Sequence, residues 1–312
     1  MIKLDPIDYQ LWSTNKFAFS KLLGQSFKET GFAVIENHRI PEKVIHDADI
    51  SSEAFFSLPQ NIKQKYSDPE DGFQRGYSPI GTENAKNKKE ADLKEFWHTG
   101  RKLPPSSKYN KTMKCTPPVL EIKNFDQNIF KLYEEFDKFG NELLKAIAIY
   151  LNLNEDWFQN KVNFGNSILR LLHYPAQKVT PPNGSVRAGE HEDINLITLL
   201  LGASESGLQA KHRSGNWIDI NTKKGAVVVN VGDMLQRITS GLLPSTTHRV
   251  INPKPSRAMF SRYSKPFFLH LNNDTIIEPL KSCLSEDREA EPAITAQDFL
   301  TQRLIEIGLK NH

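Results

Sequence analysis

Two hydrophobic rhythms divide this chain. Up to about residue 165, apolar side chains recur every three or four positions; from Ser167 onward they come in short runs broken by turn residues. The first rhythm predicts a helix over residues 14–30, where Phe19, Leu22, Leu23, Ser26 and Phe27 fall on one face. A second helix is expected from about Pro41 to Ser57, with Val44, Ile45, Ala48, Phe55 and Phe56 inward and Leu58-Pro59 closing it. The longest covers residues 122–151. Its stripe of Phe125, Ile129, Leu132, Phe136, Phe139, Leu143, Ile147 and Tyr150 marks a scaffold helix packed on a sheet. A short helix over 155–160, capped by Asn154, should follow. Between these helices, residues 31–35 read as a strand. Residues 95–100 read as another, with Phe96 and His98 on one side and Trp97 on the other.

The second rhythm predicts strands. Apolar runs at 167–174, 196–201, 207–211, 217–220, 226–231, 247–251, 259–264 and 267–271 alternate with turn signals at Pro181-Pro182-Asn183-Gly184, Ser214-Gly215-Asn216, Lys223-Lys224-Gly225 and Val231-Gly232-Asp233. Regular short strands of this kind build a sandwich or barrel, and an eight-stranded jelly roll fits the count. A last helix is expected over 295–309, with Thr295 as N-cap and Asp298 three residues on. The fold class is therefore mainly β with flanking helices: a double-stranded β-helix (jelly roll) core over 166–275, a mostly helical region over 1–165 and a C-terminal helix within 276–312. The N-terminal helices lack a core of their own, so residues 1–312 read as one unit.

Composition narrows the class. At 312 residues the chain can bury a large core, and 38% hydrophobic with 25% charged residues is ordinary globular usage. A net charge of +3, with both signs mixed along the chain, is too small to argue for nucleic acid. Cys115 and Cys283 lie in no metal or redox motif, which favours reduced thiols and a cytoplasmic location. No signal peptide or membrane-length apolar stretch is visible, so the expected partner is a small molecule and the expected state a monomer.

The chemistry centres on Gly189-Glu190-His191-Glu192-Asp193, with His248 lying 55 residues beyond Asp193. On a strand, residues i and i+2 share a side, so His191 and Asp193 can meet one metal while Glu190 and Glu192 face away. A third ligand from a distant strand, His248, completes two imidazoles and one carboxylate. That is a donor set suited to Fe(II) with positions left open. A lone His-x-Asp is more often an accident, so the assignment needs support from elsewhere. A zinc hydrolase lacks its general base here, having no His-Glu-x-x-His helix. Downstream, Arg262 and Ser264 share a strand face. Arg supplies a two-pronged donor for a carboxylate and Ser one more hydrogen bond, although both also suit a surface strand.

The chain resembles the Fe(II)- and 2-oxoglutarate-dependent oxygenases of the isopenicillin N synthase-like family. The resemblance rests on ordered segments: GFAVIENHRIP, FFSLPQNIKQKY, RGYSPIG, DLKEFWHTG, LRLLHYP, HEDINLITLLL, GLQA, GNW, VVVNVGDMLQRITSG, STTHRV and RYSKPFF. It implies that His191, Asp193 and His248 are the metal ligands and that Arg262 and Ser264 hold the distal carboxylate of 2-oxoglutarate. It also implies that Tyr174 lines the co-substrate or substrate pocket. Many plant members carry Asn where this chain has Leu172. The implied activity oxidises a small metabolite by hydroxylation or desaturation, using O₂ and converting 2-oxoglutarate to succinate and CO₂; ascorbate can support it. An oxidase on the same scaffold that dispenses with 2-oxoglutarate is the alternative, and a non-catalytic small-molecule-binding barrel a more distant one.

The substrate wall is expected from Arg75, Tyr77, Phe96, His98 and Arg170. Arg170 shares a strand face with Leu172 and Tyr174. Arg75, Arg170 and Lys265 together hint at a small acid.

Overall fold

The computed structural model describes residues 4–82, 94–176, 187–202, 207–220, 225–252, 259–284 and 291–306. The first half runs β1 (Ile7–Asp8), α1 (Leu11–Thr14), α2 (Lys16–Thr30), β2 (Phe32–Glu36), α3 (Glu42–Phe56), α4 (Gln60–Lys63), β3 (Gly76–Ser78), β4 (Glu95–Gly100), α5 (Phe125–Tyr150) and α6 (Gln159–Val162). The second half runs β5 (Ile168–Tyr174), β6 (Ala188–His191), β7 (Ile197–Leu201), β8 (Leu208–Lys211), β9 (Trp217–Asp219), β10 (Val227–Val231), α7 (Asp233–Ile238), β11 (His248–Val250), β12 (Arg262–Ser264), β13 (Pro266–Leu269), β14 (Ile276–Ile277), β15 (Ile294–Thr295) and α8 (Ala296–Glu306).

Two sheets form the jelly-roll core. The larger has the order β1-β2-β10-β7-β13-β5-β4-β3, with β12 paired to β5; the smaller is β6-β11-β8-β9. The N-terminal region does more than buttress this core. It donates β1 to β4, so the large sheet exceeds the strands read from the second half alone. The expected turn at 181–184 and most of that at 223–225 lie outside the described residues.

Side-chain alternation assigns the two faces of the large sheet. Trp97, Leu169, Leu171 and Phe267 point outward into the main apolar cluster beneath α5, whereas Phe96, Leu172 and Tyr174 form a separate cluster on the inner face. The stripe on α5 is buried as its periodicity requires, and Phe136 stacks on Phe267 at 5.6 Å. Gly140 lets this helix approach β13: a Cβ there would lie 2.5 Å from Leu269 Cδ1. Helix α2 begins where the Asn15 side chain accepts from the Ala18 amide, and it ends at Gly31, whose φ of 73° suits glycine.

Thr295 caps α8 as expected: its Oγ1 accepts from the Asp298 amide at 3.0 Å and donates to Asp298 Oδ2 at 2.6 Å. The short helix expected over 155–160 is displaced to Gln159–Val162. Asn154 instead closes a turn by accepting from the Asp156 amide, a local bond that competes with helix. Cys115 is exposed and Cys283 buried, and no helix among the described residues is long and apolar enough to cross a membrane.

Candidate metal centre

Strand β6 ends at His191, and Asp193 lies in the turn beyond it. The expected two-residue spacing along one strand is thus replaced by a strand end and a turn. The turn is fixed from behind: the Asp193 carbonyl accepts from the Asp233 amide at 2.7 Å, and the Leu196 carbonyl accepts from Gly232 at 2.8 Å. His248 opposes His191 directly across the β6–β11 pairing. Among the described residues, His191, Asp193 and His248 bring one donor atom each within 4.8 Å of one another.

The geometry leaves one set of atoms available to a cation. Each imidazole spends Nδ1 on a backbone carbonyl, His191 on Gly189 at 2.7 Å and His248 on Thr246 at 3.1 Å. Both Nε2 atoms then lie 3.8 Å from the same oxygen, Asp193 Oδ1. The other carboxylate oxygen, Oδ2, accepts from Thr198 Oγ1 at 2.6 Å and Asn230 Nδ2 at 2.8 Å. Such outer hydrogen bonds orient ligands and hold their tautomers.

Electrostatics agree with this arrangement. Burial opposes ionisation of Asp193. The two imidazoles and the Asn230 and Thr198 hydrogen bonds outweigh that burial and hold the carboxyl below its usual range. Desolvation by the surrounding walls pushes His191 down to about 4, and His248 adds to the effect. This holds although 44% of its side chain can still be reached by water. A neutral imidazole beside a carboxylate is what a divalent cation requires. Glu190 and Glu192 turn away: Glu190 pairs with Arg249 at 3.4 Å, and Glu192 accepts from Thr247.

Beside the triad, β12 pairs antiparallel with β5 so that Arg262 opposes Tyr174 and Ser264 opposes Leu172. Arg262 is 2% exposed, and its Nε and one terminal nitrogen have no hydrogen-bond partner among the described residues. A guanidinium buried in that state costs free energy until an anion meets it. These residues fit a carboxylate-bearing co-substrate. The guanidiniums of Arg262 and Arg187 lie 5.2 and 5.7 Å from the Tyr174 ring. Arg187 sits just before β6 and carries no local signal that would single it out.

The expected substrate residues separate into two groups. Arg170 opposes His98 and donates from Nε to its Nε2 at 2.6 Å, while His98 Nδ1 bonds the Phe73 carbonyl. The Arg170 guanidinium lies 4.3 Å from the Phe96 ring and 5.4 Å from that of Phe268. Phe96, His98 and Arg170 therefore form one wall on the inner face.

Arg75 and Tyr77 do not join it. Arg75 spends its nitrogens on Asn166 Oδ1 and on the carbonyls of Lys114 and Gln74. Tyr77 faces outward beside Phe55 and donates to Glu95. Lys265 is paired with Asp49. Of the three cations behind the idea of an acidic substrate, Arg170 alone belongs to this wall.

No sequence motif singles out His270. It follows Phe268 by two on the same face, is 8% exposed, and its ring has no hydrogen-bond partner among the described residues. Burial, helped by Arg75, lowers its pKa to about 4.

Comparison with known proteins places this geometry. Residues 4–120 match the N-terminal family of non-haem dioxygenases described from morphine synthesis, and residues 165–271 match the 2OG-Fe(II) oxygenase superfamily. A 2-oxoglutarate-Fe(II) type oxidoreductase, hxnY of Emericella nidulans, is 30% identical over 302 residues, covering 93% of this chain and 85% of its own. A 2OG-Fe(II) oxygenase family protein from Caulobacter crescentus superposes with a TM-score of 0.91 at 43% identity, over 98% of this chain and 100% of its own. A full-length Neurospora crassa protein bound to alpha-KG gives 0.86 at 30% identity, over 97% and 95%; another structure of that protein holds alpha-KG and thymine. The chain therefore belongs to the 2OG-Fe(II) oxygenase superfamily and is an Fe(II)- and 2-oxoglutarate-dependent dioxygenase.

Proposed function

We propose that His191, Asp193 and His248 hold the Fe(II), that Arg262, Ser264 and Tyr174 hold the distal end of 2-oxoglutarate, and that Phe96, Arg170 and Phe268 face a small substrate. The observation that carries this reading is the single free oxygen of Asp193, equidistant at 3.8 Å from two Nε2 atoms whose rings are otherwise engaged. Fe(II) with 2-oxoglutarate and O₂ supplies the oxidising chemistry, in which the co-substrate becomes succinate and CO₂ and the substrate is hydroxylated or desaturated. The protein holds the ligands in one geometry, neutralises the co-substrate's far carboxylate with Arg262, and walls the site with Phe96, Leu172 and Phe268 against water.

A small molecule with a flat face and an acceptor edge suits the Phe96–Arg170–Phe268 wall. Thymine, which the Neurospora relative holds, is a molecule of that kind. The small net charge of +3 supports a metabolite over nucleic acid, and we take the working form to be a monomer, which size-exclusion chromatography checks.

The test is an anaerobic titration with Fe(II) and 2-oxoglutarate, following the weak visible band of the chelate. Wild type develops the band, His191→Ala does not, and Arg262→Ala needs far more 2-oxoglutarate. A wild type that forms no band, or turns over without releasing succinate, overturns the reading.

A further inference from the structure

The residues that would grip 2-oxoglutarate stand at the end of a strand. Strand β12 is three residues long and continues past Lys265 into β13, which pairs with β5 in the same register, Phe267 with Leu169 and Phe268 with Ile168. Strand β13 is also bonded to β7 on its other side, whereas β5 is the one sheet neighbour of β12 among the described residues. The register is therefore set by β13, and Arg262 lies at the end that is held from one side. Something beyond one-sided pairing has to keep that end against β5.

The outer face of the same strands provides it. Tyr263 opposes His173, and the two rings stack at 4.7 Å between centroids with 14° between planes. Directly opposed ring pairs stabilise the pairing of the strands that carry them. Phe56 of α3 closes over both, 5.3 Å from His173 and 6.3 Å from Tyr263.

His173 is itself anchored. On its other side it opposes Glu95 of β4 and bonds Glu95 Oε1 through Nδ1 at 2.7 Å. Glu95 Oε2 accepts from Lys63 of α4 at 2.7 Å and from Tyr77 of β3. Lys63 and Glu95 are both buried, with side chains 7% and 4% exposed. The chain of contacts thus runs from α4 through β4 and β5 to β12, with its polar links out of water, where hydrogen bonds are hardest to exchange.

We propose that Glu95, His173 and Tyr263 are positioning residues for 2-oxoglutarate: they lock β12 onto β5 from the outer face, so that Arg262 and Ser264 meet the distal carboxylate on the inner face. None of them touches the co-substrate. The metal ligands lie on β6, β11 and the turn after β6, outside this chain of contacts. Loss of the lock should therefore weaken 2-oxoglutarate binding and leave Fe(II) binding intact. The proposal rests on the reading of Arg262 and Ser264 as the carboxylate clamp.

The experiment measures two dissociation constants on the full chain under anaerobic conditions, one for Fe(II) and one for 2-oxoglutarate on the Fe(II)-loaded protein. His173→Ala and Tyr263→Ala are expected to raise the 2-oxoglutarate constant about tenfold and to move the Fe(II) constant less than about twofold. Tyr263→Phe, which keeps the ring, should restore wild-type binding. His173→Phe, which keeps the stack and loses the bond to Glu95, should fall between. Where an alanine variant does not fold, the two phenylalanine variants decide. An unchanged 2-oxoglutarate constant in His173→Phe, or a parallel rise of both constants, overturns the proposal. Arg262→Ala separates the two levels: if it binds 2-oxoglutarate as wild type does, the clamp reading itself fails. If Arg262→Ala weakens binding while the Tyr263 and His173 variants do not, the lock alone is wrong.

Discussion

Lys63→Met tests how the buried network is held together. The Lys63 ammonium sits 2.7 Å from Glu95 Oε2 with both side chains nearly out of water, and it also donates to the Phe56 carbonyl at 3.2 Å. Methionine matches the length and fills the same space, so the change removes charge more than volume. What remains is a buried carboxylate bonded to His173 and Tyr77 without its cation. Removing one partner of a buried pair costs about 3–5 kcal/mol.

The pH dependence carries a sign. Burial raises the Glu95 pKa, but the hydrogen bonds from His173, Lys63 and Tyr77 outweigh it and hold the group below the usual carboxylate range. In wild type this contribution is present above the unfolded pKa and is lost as pH falls through the lower folded value. Without Lys63 that balance tips toward burial, so the carboxyl takes up a proton more readily when folded, and the deficit shrinks as the solution is acidified from neutral pH.

The assay is urea unfolding followed by far-UV circular dichroism at neutral and mildly acidic pH, with Glu95→Gln and the double variant alongside. The double variant should recover more than half of the loss, because an uncharged amide no longer needs the ammonium. A loss under about 1 kcal/mol at neutral pH, or strictly additive single effects, would refute the reasoning, since contacting members of one network couple.

Three further outcomes are expected. Thr198→Val removes the hydroxyl that donates to Asp193 Oδ2 at 2.6 Å, and Fe(II) affinity measured anaerobically should fall about tenfold or more, as for other outer partners of metal ligands. Gly232→Ala would set a Cβ 2.2 Å from the Asn195 carbonyl; urea unfolding should show a loss of about 1–3 kcal/mol, with weaker Fe(II) binding because the Asp193 turn must shift. His270→Phe, next to Phe268 of the substrate wall on the same face, should leave Fe(II) and 2-oxoglutarate titrations unchanged while altering which small molecules stimulate succinate release; an unchanged response would show that His270 takes no part in substrate choice.

Much of the local structure was legible because it depends on near neighbours. The stripe on α5 and the Thr295 cap on the Asp298 amide are set by spacings of three or four residues, and both are present in the fold. The short strands were legible from their apolar runs. The ligand types were legible too, once the ordered motifs downstream stood beside a His-x-Asp that alone is more often an accident. Their shared strand was not: the turn at Asp193 is made by amides of Asp233 and Gly232, about forty residues away, which no local pattern records.

The same limit explains Arg75 and Tyr77. Each has the chemistry to meet a ligand, and distant partners decided where their polar atoms are spent: Arg75 on Asn166, Lys114 and Gln74, Tyr77 on Glu95. Thr198 and Asn230 reach Asp193 only because β7 and β10 lie side by side and the turn after β6 packs against them. The sequence alone therefore determined which elements form and which residues can carry the chemistry. The tertiary structure decided which face each side chain meets and which charges are spent inside the protein, because those depend on burial and on pairings between distant strands.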